Sequence, residues 1–130
     1  MKILGIGTDI VNIKRMEKSI KRYGNKFKKR IFSKNEIVYC EKKKKPSSFY
    51  AKRFAAKEAF SKALGIGIRK GINLKNIQVS NDYYGKPSIK LKGNVANYLK
   101  KKIKRKKYNI YLSLSDDKQW ALATVIISYN

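Results

Sequence analysis

At 130 residues and 15.0 kDa the chain has room for one domain with a modest core. A single cysteine and no histidine exclude an intrachain disulfide and a cysteine-only metal site, and leave zinc little to bind. Lysine and arginine number 33 against 8 acids, for a net charge of +25 and a pI near 10.2. Such an excess calls for an anionic partner: nucleic acid, an anionic membrane surface, an acidic protein or a phosphate-rich ligand. Part of it is compositional drift, because Lys, Asn, Ile and Tyr are all abundant. Met1-Lys2 leads straight into a short apolar run interrupted by Asp9. That reads as neither a signal peptide nor a membrane span, and a cytoplasmic protein is the expectation.

Lys2 to Val11 reads as a strand rich in Ile and Val, in which Gly5 and Gly7 point to a close backbone approach or a bend. Asp9 stands inside this apolar run. A carboxylate there must be hydrogen-bonded, paired or bound to metal, and capping of the next helix is the plain structural reading. Ile13 to Tyr23 fits a helix with Ile13, Met16 and Ile20 as its core stripe and Arg15, Lys18 and Arg22 opposite. Beyond Gly24, Phe27 and Ile31 continue the stripe while Lys26, Lys28, Lys29 and Arg30 crowd the surface. Such a run is ordinarily a solvated face. It could also dock an acidic helix, with Met16 and Phe27 as apolar anchors.

Ser33-Lys34-Asn35-Glu36 is a capping box that uses the Glu36 carboxylate on the backbone. Cys40 reads as a small core residue, and Glu41 to Pro46 as a basic loop. Residues 47–64 form the central helix, with Ser47 and Ser48 as N-cap candidates and Gly65 as a left-handed C-cap. Ala55, Ala56, Ala59 and Ala63 gather on one side of it, which allows very close packing. Arg53, Lys57 and Ser61 repeat at i, i+4 elsewhere on the helix, beside an i, i+4 pair of Glu58 and Lys62. A solvated, salt-bridged edge is the plain reading of these polar residues.

Gly65, Gly67 and Gly71 punctuate a loop carrying Arg69 and Lys70. Asn76–Ser80 and Ser88–Leu91 form a hairpin about the turn Asn81–Pro87. Gly93 or Asn94 opens a helix through Val95, Leu99 and Ile103 that runs into the basic stretch Lys100–Lys107. Ile110, Leu112 and Leu114 alternate with polar residues, Asp116 to Gln119 turn, and Ala121–Tyr129 is a long β-branched strand. The sum is one α+β domain over residues 1–130, a mostly antiparallel sheet packed against helices, with no internal repeat.

Asp9 and Glu58 are the two acids in unexpected places. Two hard oxygen ligands suit Mg²⁺, which keeps several waters and completes its shell with substrate phosphate. Lys62, Arg53 and Lys57 favour a polyanion, and Gly65-Ile66-Gly67 lets backbone approach it. The chemistry is that of a site for a pyrophosphate-bearing molecule.

GIGTDIV at 5–11, KRFAAKEAFSKALGIGIR at 52–69, GKP at 85–87 and the terminal ALATVII together resemble the holo-acyl-carrier-protein synthase family of 4′-phosphopantetheinyl transferases. The resemblance spans essentially the whole chain. It implies transfer of the phosphopantetheine arm of coenzyme A to a serine of apo acyl carrier protein in fatty acid biosynthesis, releasing adenosine 3′,5′-bisphosphate. It further implies a homotrimer with active sites between subunits. By position, Asp9 and Glu58 match the family's magnesium ligands and Lys62 the lysine near the coenzyme A phosphates. Arg53, Ser61, Gly65, Gly85 and Pro87 fall in the segments lining the coenzyme cleft. Arg15, Arg22, Lys26 and Arg30 lie on the helix that meets the acidic carrier protein. Tyr111 stands where family members commonly carry histidine, which leaves the identity of the general base open between a metal-bound water and Glu58.

The rival from another class is a small basic nucleic-acid-binding protein, with tyrosines stacking on bases and lysines on phosphates. It accounts for the charge but for neither Asp9, Glu58 nor the alanine face. No specific nucleic acid and no membrane are therefore expected as partners. A homologue that keeps the trimer without activity is a third reading, raised by Tyr111.

Overall fold

The computed structural model describes residues 1–66 and 72–130. Gly67, Arg69, Lys70 and Gly71 of the expected glycine-rich loop lie outside the described residues. Strand β1 (Lys2–Asn12) leads into helix α1 (Ile13–Ile31), the short helix α2 (Lys34–Glu41) and the central helix α3 (Pro46–Leu64). A 3₁₀ turn (Leu74–Asn76), the hairpin β2 (Ile77–Asn81) and β3 (Pro87–Leu91), helix α4 (Gly93–Lys102), β4 (Tyr108–Asp117) and β5 (Trp120–Tyr129) complete the chain. The antiparallel pairing is divided between two sheets: β1-β5-β4 and the separate hairpin β2-β3.

Helix α3 lies along the inner face of the three-stranded sheet, and the glycines of β1 let it do so. A Cβ at Gly5 would stand 1.9 Å from the Ala63 carbonyl oxygen, and one at Gly7 would stand 1.9 Å from that of Ala59. Both obstructions are helix backbone, which cannot swing aside. Ala55, Ala59 and Ala63, all buried, are the matching small face. Gly7→Ala is therefore expected to cost at least the upper end of the about 1–3 kcal/mol typical of overpacking. Urea unfolding reads this directly, and an unmoved midpoint would mean that α3 can retreat from β1 without loss.

The caps follow local chemistry. Ser33 Oγ accepts from the Glu36 amide at 3.3 Å and Glu36 Oε1 accepts from the Ser33 amide at 2.9 Å, completing the capping box. Gly65 takes the left-handed conformation at φ 82° and ends α3. At the other end of α3 the expectation fails. Pro46 occupies the first turn and Lys45 the cap position, with no side-chain cap, while Ser48 Oγ instead donates to Asp116 at 3.0 Å. Asp9 does not cap α1 either: Asn12 Oδ1 accepts from the Arg15 amide at 3.0 Å. Gly24, at φ 62° and ψ −142°, breaks α1 into two helical pieces.

The polar residues of α3 correct the expectation most. Arg53, Lys57 and Ser61 do not form a solvated edge; all three are buried. Lys57 Nζ donates to Glu36 Oε1 at 2.8 Å, Leu74 O at 2.8 Å and Ile77 O at 2.6 Å. Three acceptors for one amine require the ammonium form, although burial pulls its pKa down and Glu36 only partly restores it. Glu36 Oε2 also accepts from the Val79 amide at 3.2 Å. One buried ion pair thus joins α2, α3, the 3₁₀ turn and β2. It removes Lys57 from the set of cations available to a ligand.

Candidate active site

Gly5, Gly7 and Asp9 share the helix-facing side of β1, so the closeness that the glycines allow brings Asp9 onto α3. There Lys62 Nζ donates to Asp9 Oδ1 at 3.1 Å and to the Thr8 carbonyl at 2.9 Å. Lys62 is paired across to β1 rather than with Glu58 one turn earlier on its own helix, which corrects the expected i, i+4 pair. Glu58 is half-buried beside them. Burial, and then the Asp9 charge, push its carboxyl above the ordinary value of a glutamate, against the pull of Lys62. Two carboxylates therefore feel one another across the β1–α3 seam with a single ammonium between them.

Of the residues expected to line a coenzyme cleft, one group comes together away from the Lys62 seam. Arg53, Gly85 and Pro87 meet in a cleft of about 160 Å³, together with Tyr39, Asn81 and Asp116. Arg53 Nη2 donates to Asn81 Oδ1 at 2.7 Å, and its guanidinium carbon lies 4.1 Å from the centroid of the Tyr39 ring. Its Nε is buried without a partner among the described residues. Tyr39 and Asn81 were not singled out from sequence. Asn81 sits where β2 enters its turn, an ordinary place for asparagine, and a lone tyrosine on α2 carries no signal.

Ser61 and Gly65 join neither that cleft nor the seam through a side-chain contact. The Ser61 hydroxyl donates to the Lys57 carbonyl at 3.0 Å and is buried, and Gly65 is exposed at the helix end. Arg53 and Lys62 are nine residues apart on α3, so at 100° per residue they project from opposite sides of the helix.

Arg15, Arg22, Lys26 and Arg30 are all exposed along α1. Of the apolar anchors expected beside them, Phe27 is partly accessible but Met16 is only 5% exposed. Met16 packs inward as part of the core stripe. Tyr23 offers the exposed apolar surface instead, at 56%, with the Arg22 guanidinium 5.3 Å from its ring centroid.

The outer face of the three-stranded sheet carries two apolar rows separated by the polar row Thr8, Thr124 and Ser113. Ile6, Ile126 and Tyr111 stand side by side across β1, β5 and β4, and Ile10 neighbours Leu122 in a parallel row. Ile6, Ile10, Tyr111 and Leu122 are 61%, 55%, 51% and 40% exposed, apolar exposure of the kind that marks an interface. Tyr111 is thus on the sheet face opposite Asp9. Burial pushes the Cys40 thiol up to about 12, which leaves it a protonated core residue and no nucleophile.

Against known proteins, the family model described as the 4′-phosphopantetheinyl transferase superfamily matches residues 5–125. The chain is 49% identical over 127 residues to a holo-[acyl-carrier-protein] synthase of Pelagibacter ubique (strain HTCC1062), covering 98% of each. The crystal structure of holo-[acyl-carrier-protein] synthase from Neisseria meningitidis superposes with a TM-score of 0.87 at 38% identity, covering 97% of this chain and 98% of that one. That of the Helicobacter pylori holo-[acyl-carrier-protein] synthase in complex with coenzyme A superposes at 0.81 with 39% identity, covering 95% and 99%.

Proposed function

The chain belongs to the holo-[acyl-carrier-protein] synthase family of 4′-phosphopantetheinyl transferases, and from that membership we propose that it moves the 4′-phosphopantetheine arm of coenzyme A onto a serine of an apo acyl carrier protein, with Mg²⁺, for fatty acid biosynthesis in the cytoplasm. The observation that carries the reading is the seam where Asp9, Glu58 and Lys62 meet. A raised Glu58 carboxyl beside a second carboxylate is a donor set that a divalent cation would relieve, and both ligands are hard oxygens. Asp9 and Glu58 would hold Mg²⁺, which supplies charge neutralisation at a diphosphate.

The remaining chemistry falls to this chain's own side chains. Lys62, held at the seam but half-exposed, is placed to reach a substrate phosphate and steady the leaving group. A Glu58 oxygen left free by the cation can take the proton released as the carrier serine attacks phosphorus. Tyr111, on the sheet face opposite Asp9, does not reach this seam within one copy of the chain. Arg53, oriented by Tyr39 and Asn81, is placed to meet the nucleotide end, with Gly85 and Pro87 forming the wall opposite. Most of the acceleration comes from positioning and electrostatics, as in phosphoryl transfer generally.

A homotrimer with sites between subunits reconciles the two half-sites on opposite sides of α3. The apolar rows of Ile6, Ile10, Tyr111 and Leu122 support it, being the surface that a second copy would cover. The exposed cations Arg15, Arg22, Lys26 and Arg30 suit an acidic carrier domain. Incubation with coenzyme A, Mg²⁺ and apo carrier protein, read by mass spectrometry, tests the proposal. A phosphopantetheine mass increment that EDTA abolishes is the expected result. An unmodified carrier at saturating coenzyme and metal would overturn the proposal.

A further inference from the structure

The charge of this chain is unevenly answered. Between Tyr83 and Ser115 the sequence holds ten lysines and arginines and no acid. Seven of them fall in the eight residues from Lys100 to Lys107. Among the described residues, the acids that form salt bridges all pair with cations earlier in the chain. Glu17, Glu41, Asp116, Glu36 and Asp9 are therefore already engaged, and among the described residues no ion pair reaches this stretch.

These cations are not on a loose tail. Lys104 and Arg105 are successive non-glycine residues at φ 54° and 59°, a left-handed conformation that L side chains resist. Backbone hydrogen bonds hold it: the Lys104 amide donates to Lys101 O at 3.1 Å, Arg105 to Lys100 O at 2.7 Å and Lys106 to Ile103 O at 3.2 Å. The Asn130 amide donates to Lys107 O at 3.1 Å, tying the loop to the end of β5. The fixed loop walls a groove of about 580 Å³ that Lys100, Arg105, Lys106 and Lys107 line along with Tyr108, Asn109 and Asn130.

From this, the geometry points to a second anion site, separate from the transferase seam, for a ligand carrying at least three linked phosphates. Four cations around one concave groove ask for about as many negative charges over a short length, more than a single phosphate provides. A groove of this volume is the size of a small-molecule site rather than of a duplex surface. Its location is independent of the proposed reaction. Tyr108 is in register with Tyr129 and Lys2, whereas Asp9 is in register with Ala123 and Leu114. Seven residues along β1 separate the two sites, about 23 Å at the rise of a strand. The phosphate chain could be free or part of a nucleoside triphosphate; both present the same chemistry to the lysines.

The test is a titration of the full chain with tripolyphosphate, with ATP and with a single-stranded RNA oligonucleotide, in physiological salt, followed by amide NMR. Saturable shifts confined to Lys100–Asn109 are expected with the first two. Equal affinities mean that the phosphate chain alone is recognised, and tighter ATP binding means that the nucleoside adds contacts. Arg105→Asn removes a charge at a position whose left-handed backbone asparagine accepts, and Lys106→Gln/Lys107→Gln removes two from the groove wall. Each should weaken binding about tenfold or more while leaving phosphopantetheine transfer unchanged. The site is refuted by shifts scattered over the lysines without saturation, by affinity indifferent to both variants, or by binding of the oligonucleotide alone.

Discussion

Lys57→Met is expected to destabilise the fold by about 3–5 kcal/mol, the cost of leaving one member of a buried pair uncompensated. The stranded group would be Glu36, 2% exposed, whose remaining partners are the amides of Ser33 and Val79. The carbonyls of Leu74 and Ile77 would lose their donor as well. For a chain of this size the loss corresponds to a fall in Tm of about 10 °C or more. Glu36→Leu should be comparably damaging, because it strands the ammonium and both amides. The double variant should cost less than the two single costs added together, since neither charge is then left alone. Thermal and urea unfolding of the three variants check this. A Lys57→Met protein within about 0.5 kcal/mol of the parent would mean that the pair does not hold α2, α3 and β2 together.

Glu58→Gln should nearly abolish phosphopantetheine transfer, by at least about 100-fold, and yet stabilise the metal-free protein at neutral pH. The sign follows from the raised carboxyl. The folded chain holds this proton more tightly than the unfolded chain does. The stability it contributes is therefore present at pH below the ordinary glutamate value and is lost as pH rises through the raised one. At neutral pH the ionised carboxylate opposes folding, and an amide of the same shape does not. Asp9→Asn should lose transfer to a similar extent but also loses the negative charge that pairs with Lys62 at 3.1 Å. Transfer assays and melting in EDTA separate the two effects. Intact assembly with lost transfer marks a live site, whereas undiminished transfer in Glu58→Gln would take that carboxylate out of the reaction.

Much of this was legible in the sequence where one residue type had a single use. The two glycines of β1 announced a close approach, Gly65 a left-handed end and Ser33-x-x-Glu36 a capping box, because each answers a local backbone demand. Asp9 was legible as an oddity, since an acid in a run of Ile and Val must be satisfied somewhere. What pairs with what was not legible. Arg53, Lys57 and Ser61 at i, i+4 spacing look like a wet edge, and only the folded chain shows that carbonyls of the 3₁₀ turn and an acid 21 residues earlier cover Lys57. Lys62 could bridge to Glu58 by helical spacing alone. It reaches Asp9 instead because the glycines bring β1 within range. Met16 offered two readings, core and anchor, and packing chose the core. The division of the antiparallel pairing into two sheets depends on α4 and its basic loop intervening between β3 and β4, which periodicity within each strand cannot express.

The central claim is that Asp9 and Glu58, 49 residues apart in sequence, bind one divalent cation in the coenzyme-bound protein. Paramagnetic broadening on titration of Mn²⁺ into the coenzyme A complex measures this most directly. Joint loss of the Asp9 and Glu58 amide signals at low Mn²⁺, reversed by excess Mg²⁺ and absent in Asp9→Asn, is the predicted result. Broadening that reaches only one of the two residues, or that spares both while appearing elsewhere, would contradict the account.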